Sequence, residues 1–275
     1  MVYPSNFKVV SRKLNPSTVV ASAPFTRANK FNFGARMAVF NYDNQVIVWS
    51  ALPYGTEVKK TLELLTGSDA KPNITHLIIP DREHTIAAKS FKEEYPELKI
   101  IAMDTVSIPG VEIDYKFSAK EGNKLIDRKV LEEEIGIKES VILDNFEFVY
   151  LPLHANQELV TFDKKAKVVY EADLLFNLGV PGTTSGKVTL EQYSPETGYK
   201  QGFNPHSGWS FLTRYMQPHS KVGTFLFNKL VQTAKSKDGL KAIYNWDFDT
   251  IVPCHGNLIE KDAKASFKSA FHGAF

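Results

Sequence analysis

Four short runs in this chain each stop at a turn that carries an imidazole or a carboxylate, and that repetition limits the fold more than any other feature. The last run, Thr250-Ile251-Val252-Pro253, ends in Cys254-His255-Gly256. Two earlier ones behave alike: His76-Leu77-Ile78-Ile79 leads into Pro80-Asp81-Arg82-Glu83-His84, and Phe146-Glu147-Phe148-Val149-Tyr150-Leu151 into Pro152-Leu153-His154. A fourth, Ala166-Lys167-Val168-Val169-Tyr170-Glu171, delivers Ala172-Asp173. Short, mainly apolar runs closed by turn residues are the pattern of buried strands. A side chain at the mouth of such a strand is held rigidly and still meets a ligand. Three imidazoles and one carboxylate placed this way form a candidate inner shell for a transition metal.

The remaining pattern supplies a frame for those strands. Residues 8–10, 19–23, 35–40 and 45–50 read as strands, the last two joined by an Asn41-Tyr42-Asp43-Asn44 turn. Thr56 opens a helix with Val58, Leu62 and Leu65 on one face and Gly67 as its stop. A strand over 75–79, a helix from Thr85 to Pro96 and a strand over 98–103 continue the alternation, and the charged stretch 115–138 reads as a solvated helix face and loop. The second half adds strands over 146–151 and 168–171, a helix over 223–235, a strand over 250–253 and an amphipathic terminal helix bearing Phe267 and Phe271. Two sheets sandwiched between helices accommodate this order. Residues 177–221, rich in turns and aromatics, fit neither half and read as an insertion that serves as a lid or a homodimer contact. Within it, Gly182 to Lys187 lacks the spacing of a phosphate loop.

Length and charge narrow the function. A chain of 275 residues buries a full core, and 33 basic against 31 acidic side chains leave a formal charge of +2. That balance provides no basic field for nucleic acid. No run approaches the roughly 18 apolar residues of a membrane span, and the first residues lack a basic-then-apolar leader, so no membrane association and a cytoplasmic location are expected. The single cysteine, Cys254, rules out an internal disulfide and a cysteine-based zinc cluster. Any metal must then be held by histidines and carboxylates.

These turns resemble the metal motifs of the metallo-β-lactamase fold superfamily, over roughly Arg36 to the C-terminus. That superfamily places ligands in a His-x-His-x-Asp-His motif after a strand, a His in a Gly-His turn, an Asp in a Gly-Asp turn and a final His in a Pro-Gly-His-Gly turn. Here the final turn stands as Pro253-Cys254-His255-Gly256, the Asp turn as Ala172-Asp173-Leu174-Leu175-Phe176 and the second His as Leu153-His154. The first motif falls on Ile79-Pro80-Asp81-Arg82-Glu83-His84 and keeps only its last His, with Asp81 where the second His would be and Glu83 in place of the Asp. Together with Gly34-Ala35-Arg36-Met37, this pattern is most similar to a divergent branch known mainly as a domain of unknown function.

The resemblance implies a single four-layer αββα domain spanning 1–275, with the insertion at about 177–221. It implies a metal held by Glu83, His84, His154, Asp173 and His255. Because a carboxylate in place of imidazole weakens a zinc site, one divalent ion is expected rather than two, zinc first and manganese or iron as alternatives. Asp81 and Asp173 are the candidate catalytic carboxylates, with Asp81 the favoured proton acceptor. No Ser-His or Cys-His pair is visible, so metal-activated water is the expected nucleophile, acting on a small ester, thioester, lactone or phosphodiester. The alternative is a degenerate relative that binds or regulates without catalysis. His206 is a candidate to overhang the site, whereas His76, His219 and His272 read as surface or packing residues. Cys254 reads as a small buried residue, and Arg27 and Arg36 as solvated unless one anchors an anionic substrate.

Overall fold

The computed structural model describes Tyr3, residues 7–179 and residues 190–275; the Gly182 to Lys187 stretch lies outside them. The strands are β1 (Val10–Asn15), β2 (Thr18–Ala23), β3 (Thr26–Arg27), β4 (Phe31–Asn32), β5 (Ala35–Tyr42), β6 (Gln45–Trp49), β7 (Ile74–Ile78), β8 (Lys99–Met103), β9 (Tyr115–Phe117), β10 (Leu125–Ile126), β11 (Phe146–Leu151), β12 (Glu158–Asp163), β13 (Val168–Glu171) and β14 (Thr250–Pro253). The helices are α1 (Thr56–Thr66), α2 (Ala88–Glu94), α3 (Arg128–Val130), α4 (Ser140–Leu143), α5 (Lys221–Val231), α6 (Lys237–Asn245) and α7 (Ala263–Ala270).

One sheet runs β1-β2-β5-β6-β7-β8-β9, antiparallel as far as β6 and parallel from there. The β5–β6 hairpin closes through Asp43 and Asn44, both at positive φ (53° and 59°), the backbone that a tight two-residue turn requires and that Asp and Asn tolerate. The second sheet runs β10-β11-β12-β13-β14 and is antiparallel except for its last pair.

Alternation explains why the second sheet's strands are apolar almost throughout. Phe148, Tyr150, Tyr170 and Val252 turn toward the first sheet, whereas Val149, Leu151, Val169 and Ile251 turn the other way. The two sheets meet through aromatic edges: the Phe40 ring lies 5.1 Å from Phe146 and 5.0 Å from Tyr170, and Trp49 lies 5.6 Å from Tyr170. Behind the second sheet, Phe227 and Val231 of α5, Leu240 and Ile243 of α6 and Phe267 of α7 bury the outward side chains. On the first sheet α1 packs against β1, β2 and β5 with Val58, Leu62 and Leu65, and stops at Gly67, whose φ is 71°. The result is the expected helix-sheet-sheet-helix layering.

Several elements differ from the sequence reading. Helix α2 begins at Ala88 instead of Thr85, because residues after His84 first make a turn in which Ala88 N–H donates to Thr85 O (3.1 Å). Helix α5 starts two residues early, capped by Ser220, and ends at Gln232 in the left-handed region (φ 52°). Strand β12 and helix α6 were not expected. The first carries Glu158, Thr161 and Asp163 fully buried within it, and polar side chains mask the buried-strand pattern. The second shows only a narrow apolar face, Leu240 and Ile243, among charged residues.

Candidate metal centre

Register brings two of the strand-end side chains together. In the parallel pair β13–β14, Glu171 stands opposite Pro253, so Asp173 and His255, each two residues further on, leave the sheet side by side. The neighbouring turn after β7 brings in His84. One ligand atom from each of His84, Asp173 and His255 falls within 4.8 Å of the other two.

Each member of the trio is held by a specific partner. The His255 Nδ1 lies 2.7 Å from Gly34 O, which assigns the proton to Nδ1 and leaves Nε2 directed at Asp173 Oδ1, 3.2 Å away. His84 presents Nδ1 to Asp81 Oδ1 at 2.8 Å, which leaves Nε2 as the nitrogen able to take a ligand. The same Asp81 oxygen accepts the backbone N–H groups of Glu83 (2.7 Å) and His84 (2.9 Å), a local turn that sets the His84 ring. Burial opposes a charged His84, but Asp81, helped by the neighbouring Cys254, outweighs it and holds the imidazole pKa well above its ordinary value. Burial likewise opposes a charged Asp173, yet the adjacent His255 and the nearby His84 and His154 hold its carboxyl far below the usual carboxylate range.

A segment of which the sequence singles out only His154 wraps Asp173. His154, Asn156 and Glu158 occupy alternate positions, and all three touch it. His154 Nε2 lies 3.2 Å from the Asp173 carbonyl oxygen, Asn156 Nδ2 donates to Asp173 Oδ2, and Glu158 Oε2 accepts the Asp173 N–H at 3.1 Å. The other Glu158 oxygen accepts Ala172 N–H at 2.6 Å. His154 also accepts the Asn156 N–H at Nδ1, 3.2 Å away, so both of its ring nitrogens point at protein partners. Burial, then the charges of Asp81, Glu171 and Asp173, push the Glu158 carboxyl well above its ordinary value. The alternation His-x-Asn-x-Glu entering a strand is the signal in the sequence that would have found this segment.

The remaining candidates separate. Glu83 lines the mouth of the cleft and pairs with Arg27 at 3.3 Å. Asp81 is fully buried, with Oδ2 lacking a hydrogen-bond partner. Arg36 is also fully buried, contrary to the solvated expectation, because it donates to Ser22, Pro253 and Glu191 inside the sandwich. His206 is buried, its Nδ1 3.0 Å from Thr213 Oγ1, and does not line the cleft; His76 is a packing residue, buried within β7. Among the described residues 177–179 and 190–221, none lines the cleft.

The cleft above the trio is mainly aromatic: Tyr3, Phe25, Phe33 and Phe176 form its walls with Ala35, Ala51 and Ile86. Phe176 and Phe33 stand 5.3 and 5.6 Å from the His255 ring. The donor set fits a divalent ion. With Nδ1 committed to Gly34, the His255 Nε2 lone pair and a carboxylate oxygen face each other at 3.2 Å, and two acceptors at that distance need a cation or a proton between them.

No protein-family model matches the chain, and no curated protein matches it in sequence. Solved structures do match. The DIM-1 metallo-β-lactamase, solved after exposure to ceftazidime, superposes with a TM-score of 0.58 at 9% identity, covering 100% of each chain. The metallo-β-lactamase FIM-1 from Pseudomonas aeruginosa, in its mono-zinc form, gives 0.55 at 9% identity over 98% of this chain and 96% of that one. A flavo di-iron protein variant from Thermotoga maritima gives 0.55 at 16% identity over 98% of this chain and 62% of the other. No described helix is long and apolar enough to cross a membrane. With two facing sheets, helices on both outer sides and these full-length superpositions, the chain has the metallo-β-lactamase fold.

Proposed function

We propose that the cleft is a metal-dependent hydrolytic site for a small ester, thioester, lactone or phosphodiester. The observation that carries this reading is the convergence of His84, Asp173 and His255 under an aromatic cleft, with the non-ligating nitrogen of each histidine already engaged. A divalent ion held by these three would supply Lewis acidity toward a carbonyl or phosphoryl oxygen and would acidify a water in the cleft. Zinc suits a set of two imidazoles and a carboxylate best, and the similar FIM-1 structure is of a mono-zinc form.

This chain's own groups have separate tasks. Asp173 offers a carboxylate to the ion. Asp81 acts through His84, setting its tautomer and raising its basicity as a ligand, a role different from the proton acceptor expected from the sequence. Glu83 stays at the mouth with Arg27, where the guanidinium is placed to meet an anionic part of a substrate. The walls formed by Phe25, Phe33 and Phe176 favour an apolar acyl or aryl group and exclude water from the reacting bond. A substrate panel of esters, thioesters, lactones and phosphodiesters, assayed with zinc, manganese or iron supplied, tests the reading. Turnover that disappears in Asp173→Ala supports it. Absence of turnover across the panel hands the site to the binding or regulatory alternative.

A further inference from the structure

The described part of the 177–221 segment reaches the metal centre from behind, through Gln192 and Tyr193. Gln192 is fully buried, and its side chain spans the backbone on both sides of His255: Nε2 donates to the Cys254 carbonyl at 2.9 Å and Oε1 accepts the Gly256 N–H at 3.2 Å. Tyr193, almost as buried, holds the carbonyl-bearing residue that orients the ring. Its hydroxyl accepts the Gly34 N–H at 3.0 Å and donates to Phe25 O at 2.5 Å, while Gly34 O receives the His255 Nδ1 proton. The backbone of Gly34 is shaped for this contact. Its φ is 73°, and a Cβ there would sit 2.4 Å from Gln192 Cδ, so glycine alone leaves room for the amide to pass.

We propose that Gln192 and Tyr193 are positioning residues for His255, the first fixing its backbone and the second fixing the acceptor that sets its tautomer. The consequence for a metal, which rests on the ligand reading of His255, is that these two side chains hold Nε2 aimed at the ion. Partners of this outer kind typically contribute about 10- to 100-fold to metal affinity. They enter from a short 3₁₀ turn (Glu191–Tyr193) some sixty residues before His255, which is why no motif around His255 reveals them.

The test uses three substitutions in the full chain. Gln192→Met keeps the volume and removes both hydrogen bonds; Tyr193→Phe keeps the ring and removes the hydroxyl; Ser210→Ala breaks contacts of the same segment with Asn32 and Lys30, away from His255. Two readouts are taken: zinc affinity by chelator competition, and the His255 Nδ1 proton in the metal-free protein by nitrogen-edited NMR of the imidazole. The expected result is zinc affinity weakened about tenfold or more in Gln192→Met and Tyr193→Phe and unchanged in Ser210→Ala. The Nδ1 proton should exchange slowly in the parent and in Ser210→Ala but be lost to exchange in the other two. A folded Tyr193→Phe or Gln192→Met with parental affinity and a protected Nδ1 proton overturns the proposal. If the parent binds no zinc and the proton signal still responds as expected, the metal reading falls and the positioning role stands.

Discussion

His255 and Asp173 face each other through two acceptor atoms, Nε2 and Oδ1, 3.2 Å apart, while the opposite edge of the imidazole is tied to Gly34. Their adjacency follows from one parallel strand pair, and it concentrates the donors for one ion. Freshly purified protein is therefore expected to hold at most one equivalent of tightly bound divalent metal, and His255→Ala to hold none. Elemental analysis decides the point, and two equivalents of zinc in the parent would refute it. Added zinc should raise the unfolding temperature of the parent and leave that of His255→Ala unmoved, since an ion stabilises only a folded state that binds it.

Asp81 separates two roles. If it orients His84, Asp81→Asn should weaken zinc binding by about 10- to 100-fold. If it is the general base, the same change should spare affinity and lower turnover by roughly 10²- to 10⁴-fold. The bond from His84 Nδ1 to Asp81 Oδ1 leads us to expect the first result. Intact affinity in a folded variant with reduced kcat would return the carboxylate to the proton-transfer role.

His76 supplies a pH signature away from the centre. Burial in β7 depresses its pKa to about 4, against the ordinary 6.5, with Glu139 and Asp114 opposing that shift and Lys99 adding to it. The unfolded chain takes up a proton below about 6.5 that the folded chain refuses until about 4, so this residue lowers stability as pH falls through that window. The loss amounts to at most about 3 kcal/mol. Denaturant titrations of parent and His76→Gln between pH 7 and 4 should diverge in slope, the variant losing less. Parallel curves would mean that His76 takes up its proton as readily in the fold as in the unfolded chain.

Phe40 joins the sheets by meeting Phe146 and Tyr170 at once. Phe40→Ala should lower unfolding free energy by about 3–5 kcal/mol, the usual cost of emptying an aromatic site in a packed core. Zinc stoichiometry should stay the same, because no cleft residue depends on that ring. A loss below about 1 kcal/mol in urea unfolding would show that the inter-sheet core collapses into the gap.

The layered fold was legible because its evidence is local. Val149 and Leu151 against Phe148 and Tyr150, or Ile251 against Val252, announce strands with two buried faces, and the turn residues after them announce where the chain leaves the sheet. The same locality exposed His84, Asp173 and His255 as strand-end groups. Glu158 shows the limit. As a carboxylate in a fully buried strand it contradicts every compositional signal for burial, and it is accommodated there by two backbone N–H groups, those of Ala172 and Asp173, that come from another strand's end.

By itself the amino-acid order determined the alternation of apolar runs and turns, hence the strands, the helices on their outer sides and the side chains carried to the strand mouths. Tertiary structure decided which of those side chains converge and what orients them. Glu171 opposite Pro253 put Asp173 beside His255, the turn at Asp81 aimed His84, and both nitrogens of His154 went to protein partners. Gln192 and Tyr193 reached His255 from some sixty residues away. Hydrogen bonds of this kind depend on positions correct to a few tenths of an ångström between segments distant in the chain, and no periodicity or turn motif encodes such positions.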